Sequence, residues 1–525
     1  MSSETKNSNN DSFKTMDWPV FIISGGVVVI FVIAALINMT AVSNFVNATF
    51  GWSVKWFGAF WQVLCLLTVF ISIGLAISKY GGVRLGGDKP DISTFRWISM
   101  IMCTLLAGGG VFWSAAEPMY HFLSTPPAFP GIEGGTVDAI APALSYGYLH
   151  WGYNAWAILG SLTAVVLMYA YHVKGLPLKP RSMLYPVFGE KGVMNHWGTA
   201  ADAFSIIAVA AGTIGPIGFL ALQMSYFLNQ LWNIPDVYAT QLAILLGLIA
   251  IYTISAMTGL TKGIQFLSRF NVVLAGALMG LILIVGPGGF IIDSFLTSFG
   301  VYTQNFVRMT LYRGDAGWLG WWTVFFFGWF LGYGPMMAIF VARISKGRTI
   351  REIVLAVTII APIITNFWFT ILGGTGIYYE LLNPGSVSGA LEAAGLPAAL
   401  LAIITQLPLS AIFVPAFMIL IVIFLATTGD SMSFTIAMVV TGQEDPAKSV
   451  RIFWAVMMGL VAAVLINIGE GGIGALQTWI VFTAVPVSLL LLPMLWGAPM
   501  LAKRMYDEGY GIGNSSSSKE EKTAS

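Results

Sequence analysis

Twelve apolar runs, each of roughly 20 residues or more, take up nearly all of the 525-residue chain. That length crosses the hydrocarbon core of a bilayer as a helix. The runs lie near 18–38, 57–78, 97–116, 140–170, 202–228, 238–257, 267–287, 321–342, 352–374, 408–438, 450–468 and 475–498. Between the seventh and eighth, residues 290–315 are half-polar and suit a helix lying at the membrane interface. Residues 385–405 suit a further short surface helix. The pattern predicts an all-α integral membrane protein of about twelve spans, with a transmembrane domain at 17–500. Residues 1–16 and 501–525 read as short polar cytoplasmic tails.

Polar positions between the runs set the orientation. Lys79, Arg84, Lys89 and Arg96 share one loop, and Lys174, Lys179, Arg181 and Lys191 share another. Lys262, then Arg343, Lys346, Arg348 and Arg351, then Lys448, Arg451, Lys503 and Arg504 fall on the same side of an alternating path. The opposite side holds Lys55, Arg308 and Arg313, and otherwise acids such as Glu133, Asp138, Glu380 and Glu470. The positive-inside rule then places both termini in the cytoplasm of a plasma-membrane protein.

The eighth run has a pattern of its own. Trp322, Phe326, Trp329 and Tyr333 recur at i, i+4, i+7 and i+11 and share one helix face. Such a face holds a cation by its π-surfaces, or else forms an interfacial aromatic belt. The run also carries Gly328, Gly332 and Gly334-Pro335, while the third run carries Ala107-Gly108-Gly109-Gly110. On the predicted orientation these two runs open blocks of five spans running in opposite senses, about 97–287 and 321–498. Glycine-interrupted helices at matching places in inverted halves mark the substrate site of secondary transporters. Small residues that let helices approach closely give the same pattern.

Composition narrows the chemistry. Hydrophobic residues make up 57% and charged residues 9%, with a net charge of +1, so nucleic acid is not an expected partner. The two cysteines, Cys65 and Cys103, lie in apolar runs and build no thiol metal site. The four histidines are scattered along the chain without ligand spacing, and no nucleophile–base pair stands out, which argues against an enzyme. A passive pore needs a polar lining that the runs do not offer. The third, fourth and eighth runs hold no Lys or Arg, which favours a zwitterionic or cationic solute over an anion. Trp151 and Trp156 of the fourth run, set on one side of its helix, extend the aromatic set. The backbone N–H groups of Gly108–Gly110 offer a place for a carboxylate or sulfonate. In the tenth run, the hydroxyls of Thr427 and Thr428 suit a sodium ion or bond back to their own helix. Asp430 is a candidate for proton coupling or for capping polar neighbours, and Glu117, near an outer helix end, reads as structural.

Several segments together resemble the betaine/choline/carnitine transporter family across the membrane portion. They are FWSAAEPMYHF (112–122), HWGYNAW (150–156), KGIQFLSRFNVVLA (262–275), WTVFFFGWF (322–330), ARISKGRTIRE (342–352), QLPLSAI (406–412) and TTGDS (427–431). The resemblance implies two inverted five-helix repeats of the LeuT-like kind, alternating access, sodium symport in many members, and a homotrimer. No cofactor is implied beyond sodium as coupling ion. It places an aromatic box for a trimethylammonium group at Trp151, Trp156, Phe330 and Tyr333. Phe327, Trp329 and Phe330 fall where the family's eighth span is tryptophan-rich, and Leu159 replaces its tyrosine. Gly108 and Gly109 fall in the family's glycine signature. Thr427 and Thr428 match the hydroxyls of one sodium site, and Asn271 stands where the sodium-independent branch has arginine. The altered box makes a sulfonium compound or an aminosulfonate a competitor to a quaternary ammonium substrate.

Overall fold

A computed structural model describes residues 15–105, 109–258, 261–443, 446–470 and 473–510. It is built of helices; among the described residues, pairing between extended strands is limited to one isolated bridge, between Arg84 and Thr349. Among the described residues ten helices are long and apolar enough to cross a membrane, and eleven if a bent pair counts as one span. In that pair Arg269–Val285 meets Gly288–Thr310 at 106°. The second arm is the half-polar helix expected at the interface. The third apolar run is divided between two shorter helices, Thr94–Leu105 and Val111–Leu123. Over its described residues every run therefore coincides with helical structure. Residues 385–405 hold two short helices, of which Ala399–Gln406 is largely buried rather than lying on the surface.

Helix starts follow capping chemistry. Asp315 accepts from the Trp318 N–H at 2.9 Å, and Asn38 from Ala41 at 3.0 Å, each satisfying an orphan donor of a first turn. Thr349 and Glu352 form a reciprocal capping box where the basic eighth–ninth loop enters the ninth segment.

Burial sorts the segments into layers. The apolar windows of the fifth (His196–Trp232) and eighth (Ala316–Ile344) segments are 100% and 94% buried, whereas those of the first (Trp18–Ile37) and sixth (Tyr238–Met257) are 39% and 33% buried. A helix that is apolar all round and enclosed by others lies at the centre of the bundle. The eighth segment packs on the fourth, fifth and twelfth, so its aromatic face is held in the interior and not at an interface.

Candidate substrate site

The eighth segment breaks at Trp322 (φ −119°, ψ −88°) and then runs unbroken from Thr323 to Ile344. Its glycines do not interrupt it, contrary to the sequence expectation; they allow close packing. A Cβ on Gly328 would lie 2.7 Å from Trp61, and one on Gly334 3.2 Å from Ile158. Pro335 is accommodated inside the helix. In the third segment Gly108 lies outside the described residues. Gly109 is buried, and a Cβ there would meet the Trp329 ring at 2.6 Å and the Trp151 ring at 2.9 Å. Glycine at 109 is what lets the third segment touch both tryptophans.

Around Gly109 the rings form one cluster. Trp151 lies 5.7 Å from Trp329, 5.3 Å from Phe330 and 5.7 Å from Phe326, in each case nearly edge to face. Trp329 and Phe330 are parallel within 7° at 5.6 Å. The Trp329 indole donates to the Gly212 carbonyl at 3.0 Å, and the Tyr333 hydroxyl lies 3.2 Å from Thr213 Oγ1. The fifth segment thus anchors the aromatic face from behind. At these separations the rings are closed on one another, and a cation enters only by parting them.

Trp151, Trp329, Phe330, Tyr333 and Gly109 are therefore brought together, whereas Trp156 and Phe327 are not. The fourth segment is kinked at Gly152 (φ −98°, ψ −127°), where a Cβ would fall 2.3 Å from the Tyr148 carbonyl oxygen. The kink places Trp151 and Trp156 on two successive helical pieces. Trp156 instead donates to Thr365 of the ninth segment at 3.0 Å. Phe327 turns its edge toward His150 at 6.4 Å. Phe326, Phe369, Phe219, Trp113, Gly212 and Thr213 complete the surroundings. Phe326 was visible as a member of the periodic face, and Trp113 lies in the quoted FWSAAEP motif; Phe369 and Phe219 carried no sequence signal.

Two of the four histidines, His121 and His150, meet in space, contrary to the sequence expectation. Glu117, His121 and His150 are fully buried, with ligand-capable atoms all within 4.8 Å of one another. Glu117 Oε1 lies 2.5 Å from His150 Nδ1 and 3.4 Å from His121 Nε2. Its Oε2 accepts from the Trp151 indole N–H at 3.1 Å, so Glu117 holds a wall of the aromatic cluster. His150 Nε2 lies 3.0 Å from Thr323 Oγ1.

In the tenth segment (Ser410–Thr441) Thr427 bonds back to the Ile423 carbonyl at 2.8 Å, the local alternative foreseen for it. Thr428 Oγ1 is buried and has no hydrogen-bond partner among the described residues. Asn271 is buried and donates to the Leu420 carbonyl at 3.3 Å, while Arg269 is exposed. The seventh segment thus turns an amide, not a guanidinium, toward the tenth. Asp430 is paired with Arg451 at 3.3 Å.

Comparison with known proteins agrees with this architecture. A family model described as betaine/carnitine/choline family transporter matches residues 19–507. The chain is 54% identical over 488 residues to "Glycine betaine transporter 2" of Vibrio parahaemolyticus, covering 93% of this chain and 90% of that one. It is 34% identical over 483 residues to a "Probable glycine betaine transporter" of Desulfitobacterium hafniense, covering 91% and 96%. An "Ectoine/hydroxyectoine transporter" of Virgibacillus pantothenticus is 31% identical over 488 residues, covering 92% and 95%.

Proposed function

The chain belongs to the betaine/carnitine/choline transporter family, and from that premise we propose that it imports a trimethylammonium zwitterion of the glycine betaine type by sodium symport and alternating access. It is a multi-pass plasma-membrane transporter of small osmolytes, not an enzyme. The observation that carries the substrate reading is the ring cluster of Trp151, Phe326, Trp329 and Phe330 around Gly109, bounded by Tyr333. Parted, these rings offer several π-faces to one methylated cation. Each such contact contributes about 0.5–2 kcal/mol, so three or more offset the dehydration of a weakly hydrated head group. The substrate's carboxylate takes the backbone N–H groups of the 108–110 stretch. With no Lys or Arg inside the apolar runs 97–116, 140–170 and 321–342, a net-neutral solute fits better than an anion.

Sodium coupling draws support from the partnerless Thr428 hydroxyl and from Asn271 facing the tenth segment where a built-in cation would fill the site. Moving one charge inward yields about 2.3 kcal/mol per 100 mV, enough to concentrate a neutral zwitterion. In proteoliposomes, glycine betaine added in sodium is expected to give inward current that vanishes when sodium is replaced by potassium. Uptake indifferent to that replacement would overturn sodium symport. T428A is expected to raise the sodium concentration for half-maximal uptake more than T427A, because the Thr427 hydroxyl is already engaged by its own helix.

A second reading, a non-quaternary zwitterion, has its own support in Phe330, where the family has tryptophan, and in the ectoine-transporting relative. A binding screen over betaines, carnitine, choline, sulfonium compounds, ectoine and taurine decides between them. Tightest binding by a compound without an onium centre favours the second reading. The family's trimeric assembly is expected here too, and light scattering of the detergent-solubilised protein measures it.

A further inference from the structure

We propose that Glu117, His121 and His150 form a proton-binding site that sets how firmly Trp151 is held, so that substrate binding is linked to the protonation of this cluster. The inference rests on the reading of Trp151 as a substrate contact. Three titratable side chains from the third and fourth segments meet where none is exposed to solvent. One carboxylate oxygen, Oε1, faces both imidazoles, at 2.5 Å from His150 and 3.4 Å from His121. Among the described residues neither His121 nitrogen has a hydrogen-bond partner, although the side chain is fully buried. A buried polar group in that state costs free energy unless a proton or ion serves it.

Glu117 Oε1 and His150 Nδ1 stand within hydrogen-bonding reach of each other, so a hydrogen between them serves both atoms without an ion. The other titratable or charged groups near the cluster, among the described residues, are few. Tyr120 adjoins His121 on the third segment, and Tyr146 lies 5.8 Å from the His121 ring on the fourth. Arg308, on the half-polar helix, is engaged by the Ala128 carbonyl at 2.6 Å. Glu380 accepts from Gly385, Val387 and Ser388. The eighth segment contributes no ionisable side chain among the described contacts, but Thr323 and the rings of Trp318, Trp322, Phe326 and Phe327.

The link to substrate runs through one bond. The Trp151 indole N–H is a donor only, and Glu117 Oε2 accepts it. A carboxylate accepts such a bond about twice as strongly as a neutral acid does. The deprotonated cluster therefore fixes the ring, and substrate binds that form best. Binding then releases a proton from the cluster to solvent, and affinity falls as pH falls.

Purified full-length protein supplies the test, with glycine betaine as the probe. The wild type is expected to release protons on binding, read with a pH indicator in weak buffer, and to lose about tenfold in affinity across the site's titration. E117Q keeps an oxygen for Trp151 but holds no titrating proton; both signals should be lost. H121F leaves the Glu117–Trp151 bond in place and should shift the midpoint of the pH profile. Should E117Q fail to fold, an unshifted profile in H121F overturns the proposal. Proton release and a pH profile that persist unchanged in E117Q overturn it as well. So does a response abolished by EDTA and restored by zinc, which would assign the cluster to a metal. Tryptophan emission of the substrate-free protein separates the two readings. It should titrate in the wild type but not in E117Q or W151F, even if glycine betaine proves not to be the substrate; emission indifferent to E117Q overturns the site itself.

Discussion

Phe327 and Phe330 both occupy family tryptophan positions, yet one helix turn of geometry gives them different work. Phe330 packs on Trp151 and Trp329, while Phe327 points its edge at His150 and is fully enclosed. F330W is expected to tighten trimethylammonium binding about two- to fivefold, since indole is the better cation–π partner. F327W should leave ligand preference unchanged and cost about 1–3 kcal/mol of stability by overfilling its site. A ligand titration and a thermal melt in detergent separate the two effects. G109A is expected to abolish binding, because its methyl group would occupy the space of both tryptophan rings. Much of this site was legible in the chain: the i, i+4, i+7, i+11 face named Trp329 and Tyr333, and HWGYNAW named Trp151. Trp156 and Phe327, which the family resemblance supplied, meet Thr365 and His150 instead of the ring cluster, because the fourth segment kinks at Gly152 and Phe327 lies on another sector of its helix. Which rotational sector meets which partner is fixed only by packing.

In the eighth segment the helix breaks at Trp322 and not where glycine is densest. Gly328, Gly332 and Gly334 sit in unbroken helix, while the eighth segment turns at Trp322 and the fourth at Gly152. Run length was readable because bilayer thickness imposes it on every span alike. A kink leaves hydropathy unchanged and so leaves no comparable mark. Gly152 illustrates the cost. A side chain there would press on the Tyr148 carbonyl oxygen and lie 3.0 Å from the Tyr302 hydroxyl. G152A should therefore push the fourth segment toward a straight helix and rotate Trp151 out of the cluster. The expected result is a lower melting temperature together with loss of substrate binding. A variant that binds normally would show that the kink does not position the ring.

Contacts between distant loops constrain how the whole chain threads the membrane. The Arg84 N–H donates to the Tyr510 carbonyl, and Leu85 and Arg348 are joined backbone to backbone, so the second–third loop, the eighth–ninth loop and the C-terminal end meet. Arg181 of the fourth–fifth loop pairs with Asp17 and with Asp202, and the Asp17 N–H reaches the Val440 carbonyl at the end of the tenth segment. Points that touch outside the bilayer lie on one side of it, so an even number of crossings separates each pair. Treating the divided third run and Arg269–Val285 as one crossing each makes all of these intervals even. The basic loops are the ones that meet, and the positive-inside rule assigns their side to the cytoplasm. Glu133 and Lys191 are exposed on opposite sides of that scheme. In intact cells, a membrane-impermeant maleimide should label E133C, whereas K191C should react only after permeabilisation. Labelling of both from outside, or the reverse pattern, would show that one of the two interrupted segments fails to cross.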